Sequence, residues 1–304
     1  MTHSSSSGPS RTALTAAAAR AAHLIVDRPP VIFADTLAAA LLADQADELI
    51  AYHRLHGDHV VLSGARGQAT CRSRYAECAL AAAAAGGTSQ YVILGAGLDS
   101  FAYRSPLAGR LTVFEVDQPA TQESKRARLA AAGIAGPGQV EHVPCDFGAP
   151  GALTGALTAA GFDLGRPAFV SWLGVTMYLT GQAIAGTLAE IGSFAPGSEL
   201  VADYMLPAGL RDEAGDTYYE MVSAASAEQG EPWLSLLSPA EMDGLLGAPG
   251  LTAVRHVAQP DLACEGIWDR DDALRPVRLS MIAHAVTGRP ATRPGSELAQ
   301  QRVE

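Results

Sequence analysis

A short apolar run, Tyr91-Val-Ile-Leu94, leads directly into Gly95-Ala-Gly97, and nothing else in the chain constrains its fold as much. Such a run followed by a glycine turn reads as a buried strand whose carboxyl end is bent back sharply. Two glycines let the backbone take left-handed angles and approach a ligand closely, where a Cβ would intrude. The hydrophobic period alternates around this turn. Residues 111–116, 140–143, 168–172 and 199–202 have strand character, and the segments 118–132, 151–160 and 182–193 between them have helical character. Strands alternating with helices of this length indicate a mostly parallel sheet covered on both faces.

With 304 residues, 48% hydrophobic and 17% charged, the chain has apolar surface enough for one large core. No polar linker or internal repeat divides it. One domain is therefore expected over 12–288: a helical cap at 12–88 and a ligand-binding core at 89–202. An inserted lid at 203–240 follows, then closing strands at 241–288. Residues 251–257 and 277–285 are read as an antiparallel edge that brings the sheet to seven strands. A disordered leader is expected at 1–11 and a flexible tail at 289–304. Within the cap, the spacing predicts helices over 12–27, from an N-cap at Asp35 towards Tyr52, and over 68–85 ending at Gly86.

The net charge of −11 argues against a grip on nucleic acid or on an anionic membrane surface. No apolar stretch is long enough for a transmembrane helix, and the amino terminus lacks a signal-peptide layout. Cys71, Cys78, Cys145 and Cys264 are scattered, without metal-binding spacing, as in a reduced compartment; a cytoplasmic protein is expected.

Twenty residues beyond Gly97, at the end of the second strand, stand Glu115 and Asp117, where an acid can accept from both hydroxyls of a ribose. The dinucleotide fingerprint asks for a third glycine where this chain has Ser100, and Pro106 soon follows. A cofactor without a pyrophosphate needs no such helix terminus. Lys125 is the only lysine, and Thr121 stands four residues before it, so the Tyr-x-x-x-Lys pair of many hydride-transfer enzymes cannot be built. No Gly-Lys-Ser/Thr follows the glycines, which also removes P-loop chemistry.

The run Tyr91-Val-Ile-Leu-Gly-Ala-Gly-Leu-Asp-Ser-Phe-Ala-Tyr-Arg104, followed by Phe114-Glu-Val-Asp-Gln-Pro119, resembles the leucine carboxyl methyltransferase family of S-adenosylmethionine-dependent O-methyltransferases. Arg72-Ser-Arg-Tyr75, Cys145-Asp-Phe147 and Trp172-Leu-Gly-Val-Thr-Met-Tyr-Leu179 extend the likeness over about residues 12–205. The resemblance implies the three-layer, Rossmann-like α/β fold of class I methyltransferases, with S-adenosyl-L-methionine as cofactor. By position it implies that Gly95, Ala96 and Gly97 pass under the cofactor, Asp117 binds the ribose, and Asp146 and Phe147 lie along the adenine. Arg72 would pair with the methionyl carboxylate. Arg74, about 200° around a helix from Arg72, is expected in a surface or structural ion pair instead. Many members of the family carry a cofactor-contacting Glu where this chain has Leu173, which the resemblance therefore places beside the cofactor. Trp172 beside it is either a wall near the sulfonium or a core residue.

Methyl transfer is an in-line displacement, and a carboxylate acceptor is already ionised near neutral pH, so it needs no general base. No His/Asp pair stands where the methyl group would point. That absence favours a carboxylic acid, from a small molecule or a peptide or polyketide natural product. Tyr178, Asp203 and Tyr204 are the polar candidates at the strand ends, with Tyr178 positioning the acceptor oxygen and Tyr204 beside the substrate. Tyr218-Tyr219-Glu220-Met221 is read as lid lining or as a helix–helix contact. In His53-x-x-His56-x-x-His59, the third histidine is rotated by about 240° from the first and no Cys or carboxylate cluster joins them, so no metal site is expected. The alternatives are an O-methyltransferase acting on a hydroxyl, an NAD(P)-dependent oxidoreductase on a related fold, and a catalytically silent adenosine-ligand binder.

Overall fold

A computed structural model describes residues 10–136, 139–146, 151–262 and 266–288. Its described strands form one sheet in the order β3-β2-β1-β4-β5-β7-β6: β1 (Gln90–Leu94), β2 (Thr112–Asp117), β3 (Gln139–Pro144), β4 (Ala168–Trp172), β5 (Glu199–Met205), β6 (Leu251–Ala258) and β7 (Ser280–Thr287). β1 to β5 run parallel, while β7 lies antiparallel to both β5 and β6. This is the expected seven-stranded, mostly parallel sheet with an antiparallel edge. Strand order reverses at β1, where β2 and β4 lie on opposite sides. In parallel sheets a ligand crevice opens at the carboxyl ends of strands around such a switch point.

The period-2 alternation sorts the core into two faces. Val92, Leu94, Val170, Trp172, Leu200, Ala202 and Tyr204 face α7 (Ala152–Ala159), α8 (Gly181–Gly192) and α10 (Pro239–Gly247), meeting Leu157, Leu188 and Leu246. Tyr91, Ile93, Phe169 and Val201 face the other way, onto Ala76 and Leu80 of α4 (Val60–Ala85) and Phe101 of the short α5 (Phe101–Arg104). Both faces are covered, so the strands can be apolar on both sides. The loop after β2 leads into α6 (Pro119–Ala131).

The largest departure from the sequence expectation in the cap is at its second helix. The helix expected from Asp35 is two helices, α2 (Ala38–Leu42) and α3 (Ala46–His56), broken where Ala43 takes φ +52°. The break is held from outside: Arg128 of α6 donates Nη1 to the Leu41 and Leu42 carbonyls, at 3.0 and 2.7 Å. Asp35 is not a helix cap. Its buried carboxylate accepts from Arg20 Nε at 2.8 Å and Ser100 Oγ at 2.6 Å, tying α1 (Arg11–Val26) to the segment after the glycine turn.

Other boundaries shift as well. The third cap helix is α4, which starts at Val60 with His59 as its N-cap and ends at Gly86 as expected. Ser10 and Arg11, placed in the leader by the sequence, cap and begin α1; residues 1–9 and the tail 289–304 lie outside the described residues. The fifth strand continues to Met205, so the insertion begins after it and contains α9 (Glu213–Glu228). Residues 277–279 precede β7 rather than belong to it. Among the described residues, no helix is long and apolar enough to cross a membrane.

Candidate active site

The glycine turn is locked onto its neighbouring strand. The Gly95 and Ala96 N–H groups both donate to the Val116 carbonyl, at 2.8 and 3.1 Å. Gly95 and Gly97 take φ of +67° and +44°, which a Cβ disfavours. The space freed by their missing Cβ atoms is taken by protein: a Cβ on Gly95 would overlap Val175 Cγ2, and one on Gly97 would stand 3.2 Å from Ala13 Cβ of α1. The glycines thus admit the turn after β4 and the first cap helix to the loop. Ala96 turns inward and is buried, whereas Gly95, Gly97 and Asp99 are part-exposed and form the open side.

Asp117, at the end of β2, accepts from Gly97 N–H at 2.6 Å and from Gln118 N–H at 2.7 Å. Burial pushes its carboxyl above the ordinary range, against the pull of those two N–H groups. Each carboxylate oxygen has a second lone pair, so both retain acceptor capacity. Glu115, two residues earlier, is buried in an ion pair with Lys125 at 2.8 Å and cannot reach a ligand. Asp146 is exposed just beyond β3, next to Cys145, whose N–H donates to the Asp117 carbonyl at 3.0 Å. Phe147 lies outside the described residues.

Across the switch point, the turn after β4 carries Leu173, Gly174, Val175 and Tyr178. Arg72 reaches this turn from α4. Its Nη1 donates to Asp203 Oδ2 at 3.2 Å, and a Cβ on Gly174, where φ is +73°, would stand 2.5 Å from its Nη2. Asp203 Oδ1 accepts from Gly174 N–H at 2.6 Å, and its carbonyl accepts from Thr176 Oγ1 at 2.6 Å. Leu173 packs its side chain against the α4 face of the core, so only its backbone belongs to the turn. Arg74 points elsewhere and donates to the Ile32 carbonyl at 2.8 Å.

Tyr178 lies under the insertion, among Tyr218, Tyr219 and Trp233. Burial raises its phenol above the ordinary range, opposed by Trp233 and the nearby Arg72 charge. The insertion is strapped over this turn: Leu234 N–H donates to the Met177 carbonyl at 2.6 Å, Ser235 Oγ to the Leu179 carbonyl at 2.5 Å, and Leu237 N–H to the Met205 carbonyl at 2.8 Å. Glu231 Oε2 accepts from Thr12 N–H of α1 at 3.3 Å, joining lid to cap.

Tyr204 is not brought to this site. It shares the sheet face of Leu200 and Ala202, is 1% exposed, and engages His256 Nδ1 at 2.8 Å; His256 Nε2 in turn meets Asp243 at 2.9 Å. Trp172 is likewise a core residue on that face. The histidine run also disperses: His53 is buried against Arg66, His56 lies beside Tyr52, and His59 caps α4. Among the described residues, no group of three His, Cys, Asp or Glu side chains could hold a metal ion. The sequence reading left Gly174 unassigned, although a glycine after a strand of bulky residues signals a close approach. Here that approach is the Arg72 guanidinium.

Comparison with known proteins gives consistent matches. A family model described as leucine carboxyl methyltransferase matches residues 13–192. The Bacillus subtilis (strain 168) protein YktD, named as an S-adenosyl-L-methionine-dependent methyltransferase, is 35% identical over 202 residues, covering 66% of this chain and 66% of that protein. A Mycobacterium avium (strain 104) protein, also named as an S-adenosyl-L-methionine-dependent methyltransferase, is 39% identical over 146 residues, covering 48% of this chain and 47% of its own. The match therefore spans from about half to about two thirds of these relatives' length. A crystal structure from Thermobifida fusca YX, named as a methyltransferase, superposes with a TM-score of 0.59 at 19% identity, over 94% of this chain and 97% of that one. That likeness shows the fold, the class I methyltransferase architecture.

Proposed function

This chain belongs to the leucine carboxyl methyltransferase family, and from that premise we propose that it transfers a methyl group from S-adenosylmethionine to an acceptor oxygen, most simply a carboxylate. The observation that carries the reading is the Arg72 guanidinium, 17% exposed and held over Gly174 across the switch point from the glycine turn and Asp117. A cation on one side and a ribose-competent acid on the other suit a ligand with an amino-acid end and a nucleoside end. Gly95, Gly97 and Asp99, just after β1, are part-exposed, which suits backbone contact with such a ligand. The residues present therefore fit S-adenosylmethionine, which when bound supplies an electrophilic methyl group on sulfur.

The chain's own residues supply placement. Arg72 would hold the amino-acid carboxylate, Asp117 the ribose hydroxyls, and Asp146 the adenine amino group. Tyr178, half-buried near a cation and under the lid, would donate its O–H to the acceptor oxygen and fix it in line with the methyl group. A phenol whose pKa is raised stays protonated at neutral pH, so it serves as a donor and not as a base. That suits an acceptor already ionised. The strapped insertion excludes water from the reacting atoms. An acceptor of natural-product type and a cytoplasmic setting are consistent with this reading.

The test is calorimetry with S-adenosylmethionine and S-adenosylhomocysteine, with NADH as control, followed by a panel of matched carboxylic acids and phenols with labelled cofactor. Saturable binding of both sulfur ligands and none of NADH is expected, with turnover on acids and a rate that is flat with pH above the acceptor's own pKa. Turnover on phenols only, with a rising limb set by an enzyme group, overturns the carboxylate assignment. Binding of NADH alone overturns the methyltransferase reading.

A further inference from the structure

We infer that Asp203 is a positioning residue: it aims the Arg72 guanidinium at the carboxylate of the bound ligand and so sets the preference for ligands that carry an amino-acid end. The inference rests on the reading above, in which Arg72 receives that carboxylate.

Asp203 is an acid in the buried part of β5 and is only 1% exposed. Burying an ionised carboxylate is costly unless its acceptors are satisfied, so its partners identify its purpose. The carboxylate has two and the residue's own carbonyl a third, from two parts of the chain. Oδ2 takes Arg72 Nη1 from α4, Oδ1 takes the Gly174 N–H from the turn after β4, and its carbonyl takes Thr176 Oγ1, two residues before Tyr178. One residue thus fixes both the arginine and the turn on which the arginine rests.

The two members of the ion pair differ in exposure. The Asp203 side chain is 2% exposed and the Arg72 side chain 17%. The buried partner is the fixed one, and the partly exposed one is the one being aimed. The Arg72 fork has five N–H donors in a rigid plane, of which Asp203 engages Nη1. With one edge on Asp203 and one face against Gly174, the plane of the fork is set before a ligand arrives. An arginine held in this way loses little freedom on binding, and preorganisation of that kind appears as affinity. The effect should reach only those ligands that touch Arg72.

That selectivity separates aiming from mere folding. S-adenosylhomocysteine and 5′-methylthioadenosine share the adenosine and the thioether, but only the first carries the amino-acid end. Asp203→Asn is the informative variant. Its amide oxygen can keep the Gly174 N–H, which turns its NH2 toward Arg72 and sets donor against donor. In calorimetry on the full chain, the variant should bind S-adenosylhomocysteine at least ~10-fold more weakly than wild type, the effect of losing a charge-assisted contact. Its affinity for 5′-methylthioadenosine should stay within about twofold. Adding Asp203→Asn to Arg72→Gln should produce no further loss for either ligand.

Equal weakening of both ligands overturns the inference, because it would mark a general structural role. Unchanged affinity for S-adenosylhomocysteine overturns it as well. If the asparagine variant does not fold, Asp203→Glu keeps the charge and both acceptors while pushing the guanidinium by about 1.5 Å, one C–C bond, and the same selective loss is expected. Wild-type protein that binds neither ligand overturns the functional reading itself, a result distinct from any of the others.

Discussion

Two tyrosines near the end of the fourth and fifth strands look equivalent in sequence and are used in opposite ways. Tyr204 is consumed by structure: its hydroxyl meets His256, whose far nitrogen meets Asp243, and the chain of bonds pins α10 and β6 to β5. Tyr178 faces the lid and Arg72 instead, with burial holding its phenol protonated. The contrast predicts a kinetic signature. Tyr178→Phe keeps the ring among Tyr218 and Trp233 and removes only the hydroxyl. It should lower kcat for methyl transfer by ~10- to 100-fold, the value of one hydrogen bond to a reacting oxygen, and leave S-adenosylhomocysteine affinity within about twofold. Calorimetry alongside steady-state kinetics checks both halves. An affinity loss with unchanged kcat would make Tyr178 a packing residue of the lid.

At the level of elements, the centre of the molecule is two turns pressed together, one after β1 and one after β4. Their contact explains Gly95 better than any ligand does, because Val175 occupies the place of its missing Cβ. Gly95→Ala should destabilise the protein by about 2–4 kcal/mol, combining a positive-φ cost with overpacking. Shortening the opposing side chain should relieve the second part only. The double variant Gly95→Ala, Val175→Ala is expected to be more stable than Gly95→Ala alone, with a coupling of about 1 kcal/mol or more in denaturant unfolding. Additive losses would show that the turns do not bear on each other. The glycine turn and the strand–helix alternation were legible in the sequence because they are local patterns. The break at Ala43 was not, since the carbonyls it exposes are satisfied by Arg128, more than eighty residues away. Tyr204 was misplaced for a different reason: with the strand ended at Ala202, its side could not be counted along the same alternation as Leu200.

Taken whole, the molecule is a mostly parallel core under an amino-terminal cap whose helices are fastened to one another by buried ions. Asp27, just past α1, accepts both Nε and Nη2 of Arg66, at 2.8 and 2.9 Å, and meets His23 Nδ1 at 2.9 Å. Arg66 Nη1 lies 3.2 Å from His53 Nδ1, and since arginine only donates, that nitrogen accepts and the ring is neutral. Single residues from α1, α3 and α4 close this network, which no local pattern in the sequence announces. It has a consequence for acid stability. Burial, reinforced by the Arg66 charge, lowers the His53 pKa from 6.5 to about 4. Between those values the unfolded chain binds a proton that the folded chain refuses, so this contribution is intact above pH 6.5 and is lost as the pH falls towards 4. At pH 4.5 the loss amounts to about 2 kcal/mol relative to pH 7. His53→Gln offers an amide oxygen to Arg66 and cannot titrate. Urea unfolding at the two pH values should show wild type losing about 2 kcal/mol more than the variant. Equal losses would mean that His53 is protonated in the folded cap and that the cap is held by Asp27 and Arg66 without it.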